Sequence, residues 1–201
     1  PTTARTIVVS NENRHLIALG AHDGAADDPM LIRWCSAADY TAWTASATNT
    51  AGSKRIDGGT EIYCGTKVGK EILVHTDTAF TSMIFEGPPY TFGFYPKGSN
   101  GGLQGPNAIK EFDGRAWWMG ERDFFVYDGR MRLLPCDVRN RVFDDITASQ
   151  KAKVFAGANR WFGELWWLYP TANSTECDAY VLYNVWENNW SFGTLARTLL
   201  V

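Results

Sequence analysis

The chain has 201 residues, 45% of them apolar and 20% charged, and this balance excludes a disordered polypeptide. A formal net charge of −3 at pH 7 argues against a protein that acts by gripping nucleic acid. No apolar run approaches the roughly 18 residues that a membrane-spanning helix needs. Aromatic residues account for 14% of the chain and there are 19 glycines, so strands joined by tight turns are expected.

Four groups of four short strand candidates follow one another along the chain. Turn-forming dipeptides separate many of them, among them Asp113-Gly114 and Asp128-Gly129. Runs such as LIAL at 16–19 and LWWL at 165–168 are apolar on both faces, as strands covered on both sides are. The predicted strands are 6–10, 14–20, 30–34 and 40–43; 60–65, 70–76, 80–85 and 90–94; 108–112, 115–121, 124–127 and 131–134; and 153–156, 163–169, 179–183 and 189–192.

The spacing between equivalent strands indicates the architecture. The second strands of the four groups start 56, 45 and 48 residues apart. Units of four antiparallel strands every 40 to 50 residues or so are typical of β-propeller blades. We therefore predict an all-β fold, a β-propeller with four blades of four antiparallel strands near residues 5–46, 60–96, 107–137 and 153–195. A β-sandwich explains the strands but not the period, and helix is expected only as a short turn at 144–153.

The two ends of the chain carry similar sequences. ARTIVV at 4–9 resembles ARTLLV at 196–201, an offset of 192 residues or four units of 48. Since the chain starts at Pro1 rather than at methionine and ends in phase with its start, we expect it to be a segment of a larger propeller or of a larger polypeptide.

Large aromatic side chains fill the wedge between propeller blades, which accounts for the nine tryptophans without a ligand. We predict that Trp117, Trp118, Trp166 and Trp167 belong to the core of the blades.

The cysteines are predicted to be free thiols that behave as small apolar residues. They form no CxxC pair, and a chain of this length needs no disulfides to fold, which favours a reducing cytoplasm as the place of folding. They are Cys35, Cys64, Cys136 and Cys177.

No set of residues predicts a catalytic, cofactor-binding or metal site. His15, His22 and His75 are scattered, and no serine lies in a GxSxG elbow. The acidic loop 22–28 has the carboxylates of a Ca²⁺ site without the spacing of an EF-hand, so a solvated loop is favoured over a cation site. A basic cluster around 130–141 could contact phosphates or an acidic neighbour, although a solvated face balanced by nearby aspartates is the simpler interpretation.

Short motifs in the last and first units point to a family. The last unit reads FGELWWLY at 162–169, DAYVLYN at 178–184 and WENNWSFGTLART at 186–198. The first reads RWCSAADYTAW at 33–43, followed by NTAG at 49–52. This order of strand, Tyr-Asn, turn, Trp-Ser-x-Gly and Arg-Thr resembles blades of the tail nozzle proteins of short-tailed bacteriophages, also called tail tubular or DNA-stabilisation proteins.

The resemblance implies a structural virion protein without catalytic residues or cofactors. Copies of the subunit would form a ring, usually sixfold, that extends the tail tube and contacts portal, adaptor and tail spike or fibre proteins. Viral DNA would pass through its lumen without sequence-specific binding, and the subunit would be made in the host cytoplasm. Segments 97–106 and 170–177 are the loops expected to contact neighbours. The alternatives are a carbohydrate-binding or glycan-cleaving propeller and a generic protein-binding propeller scaffold.

Overall fold

A computed structural model describes residues 1–10, 14–21 and 27–196, and these residues form four sheets of four antiparallel strands each. In every sheet the strands lie in chain order, so that each strand pairs with the one before it. The chain divides into two compact units, Pro1–Asn100 and Gly101–Val201, with two sheets in each. Four-strand meanders of this kind are what the repeated sequence pattern predicts.

Unit 1 contains the first and second sheets. Their strands are joined by short turns, and positive-φ glycines such as Gly69 (φ 58°) supply the left-handed conformation that a tight turn requires. The first sheet consists of β1 (Ala4–Val9), β2 (Leu16–Ala21), β3 (Leu31–Trp34) and β4 (Gly52–Arg55), and the second of β5 (Ile62–Val68), β6 (Glu71–Thr76), β7 (Ala79–Phe85) and β8 (Phe92–Ser99).

Unit 2 contains the third and fourth sheets and a short helical insertion between them. The insertion comprises α1 (Arg139–Asp145) and a 3₁₀ helix (Ala148–Lys153). The third sheet consists of β9 (Ile109–Phe112), β10 (Arg115–Met119), β11 (Phe124–Tyr127) and β12 (Met131–Leu134), and the fourth of β13 (Phe155–Asn159), β14 (Glu164–Tyr169), β15 (Ala179–Asn184) and β16 (Asn189–Thr194).

In unit 1 the core lies between the facing sides of the two sheets. Ile17 and Leu19 of β2 are fully buried there with Val74 of β6 and Met83 of β7. Gly65 of β5 allows the second sheet to approach the first closely, because a Cβ at this position would lie 2.6 Å from Leu19 Cδ1 and 2.9 Å from Val8 Cγ2. Side chains alternate between the faces of a strand, so the apolar residues at every second position of β2 provide this packing.

In unit 2 the core is built from aromatic rings. Trp167 is fully buried, its ring centroid lies 4.9 Å from that of Phe124, and its Nε1–H donates to the carbonyl of Ala108 at 3.1 Å. Trp117 lies 5.8 Å from Tyr183 in the same cluster. These contacts join the third sheet to the fourth, and they confirm the prediction that tryptophans fill the space between blades.

The predicted core assignment is wrong for one of the four tryptophans. Trp117, Trp118 and Trp167 are buried, as predicted, but Trp166 is only half-buried. Because side chains alternate along β14, Trp166 lies on the opposite face from Trp167, where it pairs with Tyr180 at 4.7 Å. An apolar run cannot reveal which of its two faces is covered.

The predicted fourth strand of the first unit is also wrong. Residues 40–43 lie outside any strand, and the strand that pairs with β3 is β4, twelve residues further along the chain. The first sheet therefore reaches residue 55 instead of 46. Trp43 donates its Nε1–H to the carbonyl of Tyr40 at 2.7 Å, a local contact that closes a turn. The sequence GSKR of β4 is polar, because an outermost strand buries little, and apolar content therefore did not reveal it.

The remaining strand predictions agree with the structure to within a few residues. The second, third and fourth sheets span residues 62–99, 109–134 and 155–194, against predicted blades at 60–96, 107–137 and 153–195. Of the two similar sequences at the ends of the chain, residues 4–9 form β1, and residues 197–201 lie outside the described residues.

The segment 97–106, predicted to be an adaptable contact loop, has a different role. Residues 97–99 belong to β8, and residues 101–105 are buried in unit 2. Gly101 accepts a hydrogen bond from Trp118 Nε1 at 3.0 Å, and the backbone N–H of Gln104 donates to Met119 at 2.9 Å. The glycines permit close packing here, so the segment is part of the interior.

All four cysteines are free thiols, as predicted. Burial raises the pKa of Cys64 to about 12, and that of Cys136 and of Cys177 to about 11. These thiols are therefore protonated and weakly nucleophilic at neutral pH, as structural cysteines are.

Candidate interaction surfaces

One face of the first sheet is directed away from the second sheet, and we call it the far face. It carries Ile7 and Val9 of β1, which alternate with the buried Val8 and are 58% and 46% exposed. The strand register places Ala18 and Leu16 of β2 beside them on the same face, but Ala18 is buried and Leu16 is partly buried. The exposed apolar part of this face therefore consists of Ile7 and Val9 on the edge strand β1.

The outer part of the far face is basic. Arg33 of β3 lies opposite Ala18, and Arg55 of β4 lies opposite Leu31. Arg55 pairs with Asp28 at 3.0 Å, and Arg33 donates to the carbonyl of Trp43 at 3.1 Å. The far face thus combines an apolar inner half with two positioned guanidinium groups.

A second surface lies at the hairpin ends of the fourth sheet, and we call Trp161, Phe162 and Trp186 the aromatic tips. Their exposed fractions are 88%, 63% and 65%. Trp161 and Phe162 belong to the turn between β13 and β14, and Trp186 to the turn between β15 and β16. In a four-strand meander these two turns lie at the same end of the sheet, so all three rings are at that end.

One asparagine and one glycine hold the two turns of the aromatic tips in place. Asn184 Oδ1 accepts the backbone N–H of Trp186 at 3.0 Å, and Asn184 Nδ2 donates to the carbonyl of Phe162 at 3.1 Å. The backbone N–H of Val185 donates to the carbonyl of Gly163 at 2.8 Å. Asn184 therefore ties the two turns together.

Gly163 seats the indole ring of Trp186. The glycine has φ 68°, and a Cβ there would lie 2.5 Å from Trp186 Cδ2. One side of the indole therefore rests on the bare backbone while most of the ring remains exposed. The result is a fixed, flat apolar surface.

A charged cavity of about 450 Å³ lies in unit 2, beside the helical insertion. Arg122, Arg139 and Lys151 line it together with Glu121 and Asp144, so charges of both signs are present. Arg139 is held by Asp123 and donates to the carbonyl of Arg122 at 2.7 Å.

The two described histidines are structural residues. His15 is buried, its Nε2 lies 3.0 Å from Thr50 Oγ1, and burial lowers its pKa. His75 is buried against Phe80 with ring centroids 5.0 Å apart, and burial lowers its pKa to about 3. Both are therefore neutral at pH 7, and they do not share a site. His22 lies outside the described residues.

The acidic loop 22–28 falls largely outside the described residues, apart from Asp27 and Asp28. Asp27 accepts a hydrogen bond from Thr3 at 2.9 Å, and Asp28 accepts one from the backbone N–H of Met30 at 2.9 Å. Within the described parts of the chain, no three His, Cys, Asp or Glu side chains form a group that could hold a metal ion.

Two arginines of the basic cluster form local ion pairs. Arg132 pairs with Asp128 and Arg139 with Asp123, whereas the sequence suggested Asp137, Asp144 and Asp145 as the balancing aspartates. Arg141 stacks on the ring of Phe192 at 4.4 Å. These three arginines thus make contacts within unit 2.

The sequence did not predict either surface, because apolar strand residues such as Ile7 and Val9 and the tryptophans as a group were both interpreted as core. One signal was available for the aromatic tips: Trp161 and Trp186 lie in turns, between strands, where few aromatics are needed for packing. For the described residues, neither helical segment is long and apolar enough to cross a membrane.

The sheet order and the core together define the chain as a protein of the β-propeller class. No protein-family model matches the sequence, and no curated protein matches it. A chain in the structure of an S. cerevisiae Dbp5 variant bound to Nup159, Gle1, IP6 and ADP is similar in fold, with a TM-score of 0.51 and 12% identity. The match covers 94% of this chain and 42% of that chain.

A second similar structure is the N-terminal domain of Nup159, with a TM-score of 0.49 and 12% identity over 96% of this chain and 43% of that chain. The chain therefore spans less than half of the length of the structures that it matches.

Proposed function

We propose that the chain is a structural subunit of the tail nozzle of a short-tailed bacteriophage, and that it acts by assembling with copies of itself. The observation that carries this proposal is the far face of the first sheet. Blades of a propeller bury their apolar faces against neighbouring blades, whereas on this face Ile7 and Val9 of the edge strand β1 stay about half exposed, next to the buried Ala18 of β2. A neighbouring subunit would remove this apolar surface from water and so stabilise an assembly.

The family resemblance supports the specific identity of the assembly. The matching motifs at 162–169 and 178–184, and the described part of the motif at 186–198, coincide with β14, β15 and β16 and the turns that carry the aromatic tips. The motif therefore follows three of the four strands of the fourth sheet. A ring of six copies, open to passing DNA and held between the portal or adaptor proteins and the spike or fibre proteins, is the arrangement that we propose.

Contacts between the far face and a different surface of the next subunit are head-to-tail, and such contacts close into a ring when the rotation between subunits allows it. The net charge of −3 per subunit suits a channel for DNA, because it limits non-specific adhesion to the phosphate backbone.

The location in the virion is tested with an antibody raised against the chain and applied to purified particles of the phage that encodes it. We expect the antibody to detect the chain in blots of purified particles, and gold-labelled antibody to mark the tail. An antibody against the major capsid protein, which should mark only the head, is the control. A chain that stays in the soluble lysate and is missing from blots of the particles would contradict the proposal.

A further inference from the structure

We propose that the aromatic tips of the fourth sheet form a carbohydrate-binding platform that accepts the apolar face of a pyranose ring within a polysaccharide. This binding activity is separate from assembly through the far face, and neither depends on the other. It follows from the geometry, the polar surroundings and the size of this surface.

The geometry is that of a prearranged platform. A pyranose ring has one face of C–H groups, which is apolar, and an edge of hydroxyl groups, which seek hydrogen bonds. A flat indole ring with one side open matches the apolar face, and Trp186 is such a ring because it rests on Gly163. Asn184 holds the turns that carry Trp186 and Phe162 in place, so little conformational entropy is lost when a ligand binds.

Polar groups suited to hydroxyls surround the platform. Glu187 and Asn188 follow Trp186 in the same turn and are exposed. Glu187 accepts a hydrogen bond from Asn189 at 2.9 Å, and Asn188 Oδ1 accepts one from Tyr183 at 2.7 Å. These bonds orient a carboxylate and an amide at the rim, where sugar hydroxyls can both donate and accept.

The size of the platform favours a sugar over a protein partner. An aromatic side chain presents about 150–250 Å², so the three exposed rings offer about 300–550 Å² in total. A stable protein–protein contact takes about 800 Å² from each partner. The three rings alone fall short of such an interface, and they are large enough for one or two sugar rings.

The test is isothermal titration calorimetry of the full chain with cellohexaose, chitohexaose and maltohexaose. We expect at least one of the three to bind with a Kd on the order of 0.1 mM. Trp161→Ala and Trp186→Ala should each weaken that binding at least tenfold, while circular dichroism of the variants stays unchanged.

A matched pair of glycine variants separates the platform from the stability of the fold. Gly163→Ala keeps every aromatic ring but places a methyl group where the indole of Trp186 rests, so it should weaken binding at least fivefold. Gly114→Ala, in a hairpin of the third sheet with φ 71°, carries the same backbone strain, but its methyl group meets nothing within 4 Å. It should bind as the unmodified chain does.

Three results would overturn the proposal. The first is that none of the three hexaoses binds, and the second is that binding survives Trp186→Ala unchanged. The third is a lower sedimentation coefficient of the Trp161→Ala, Trp186→Ala double variant, because it would show that the tips form a protein–protein contact. Loss of the tail location would leave the carbohydrate result standing, so the two proposals fail separately.

Discussion

At the scale of single residues, the alternation of side chains along β14 decides what each tryptophan does. Trp167 is buried between the third and fourth sheets, whereas Trp166 lies on the other face and keeps part of its ring in solvent. Its Nε1 donates to Glu164 at 3.2 Å on that exposed side. Two adjacent residues of one type are therefore expected to contribute very differently to stability.

We expect Trp167→Ala to lower the free energy of unfolding by about 3–5 kcal/mol, because it leaves a cavity between two sheets and removes the hydrogen bond to Ala108. Trp166→Ala should cost only about 1–2 kcal/mol, since less apolar area leaves water at that position. Urea unfolding followed by fluorescence measures both values. Equal costs for the two variants would show that the faces of β14 are wrongly assigned.

The buried histidine in β6 makes stability depend on pH. Burial lowers the pKa of His75 to about 3, while the unfolded chain takes up its proton near pH 6.5. As the pH falls, the unfolded state therefore binds a proton that the folded state does not. The contribution of His75 to the stability of the fold is complete above pH 6.5 and is lost progressively between pH 6.5 and about 3.

This dependence predicts that His75 lowers the free energy of unfolding by about 2 kcal/mol between pH 7 and pH 5. His75→Leu should remove that part of the pH dependence, because leucine cannot be protonated. Urea midpoints at pH 7, 6 and 5 provide the measurement. A variant with the same pH profile as the unmodified chain would assign the dependence to other groups.

At the scale of elements, the strands that the sequence predicted well are those with an aromatic or apolar run bounded by turn residues. β11 and β12 match the predicted residues, because such runs end there at Asp-Gly or other turn residues. β4 was missed, since its sequence GSKR contains no apolar run. Segment 101–105 was misjudged for the opposite reason: its glycines suggested an exposed loop, while close packing against β10 is what requires them.

Because segment 101–105 is buried, we expect the truncation of a single side chain in it to lower the free energy of unfolding. Leu103 is 2% exposed, so Leu103→Ala should lower the free energy of unfolding by about 2–4 kcal/mol. Asn173→Ala, in the exposed part of segment 170–177, should stay within about 0.5 kcal/mol of the unmodified chain. Thermal unfolding of both variants tests this, and a neutral Leu103→Ala would restore the segment as a surface loop.

At the scale of the whole molecule, the repeat length predicted the number of sheets and their strand order. It could not predict the surfaces, because whether an apolar strand is covered depends on contacts far apart in the chain. Ile7 and Val9 look like core residues in the sequence, and their exposure appeared only when the strands were placed in sheets. For Trp161 and Trp186, the position in turns was the one signal that the sequence offered.

Assembly through the far face is the central claim, and native mass spectrometry of the full chain tests it most directly. We expect a single species at a multiple of the chain mass, and dissociation to the monomer when Ile7→Glu and Val9→Glu place two carboxylates on that face. Ala45→Glu with Ala47→Glu adds the same charge in an exposed loop of the same unit and should leave the assembly intact. A monomeric unmodified chain, or an assembly that survives both glutamates on the far face, would contradict the account.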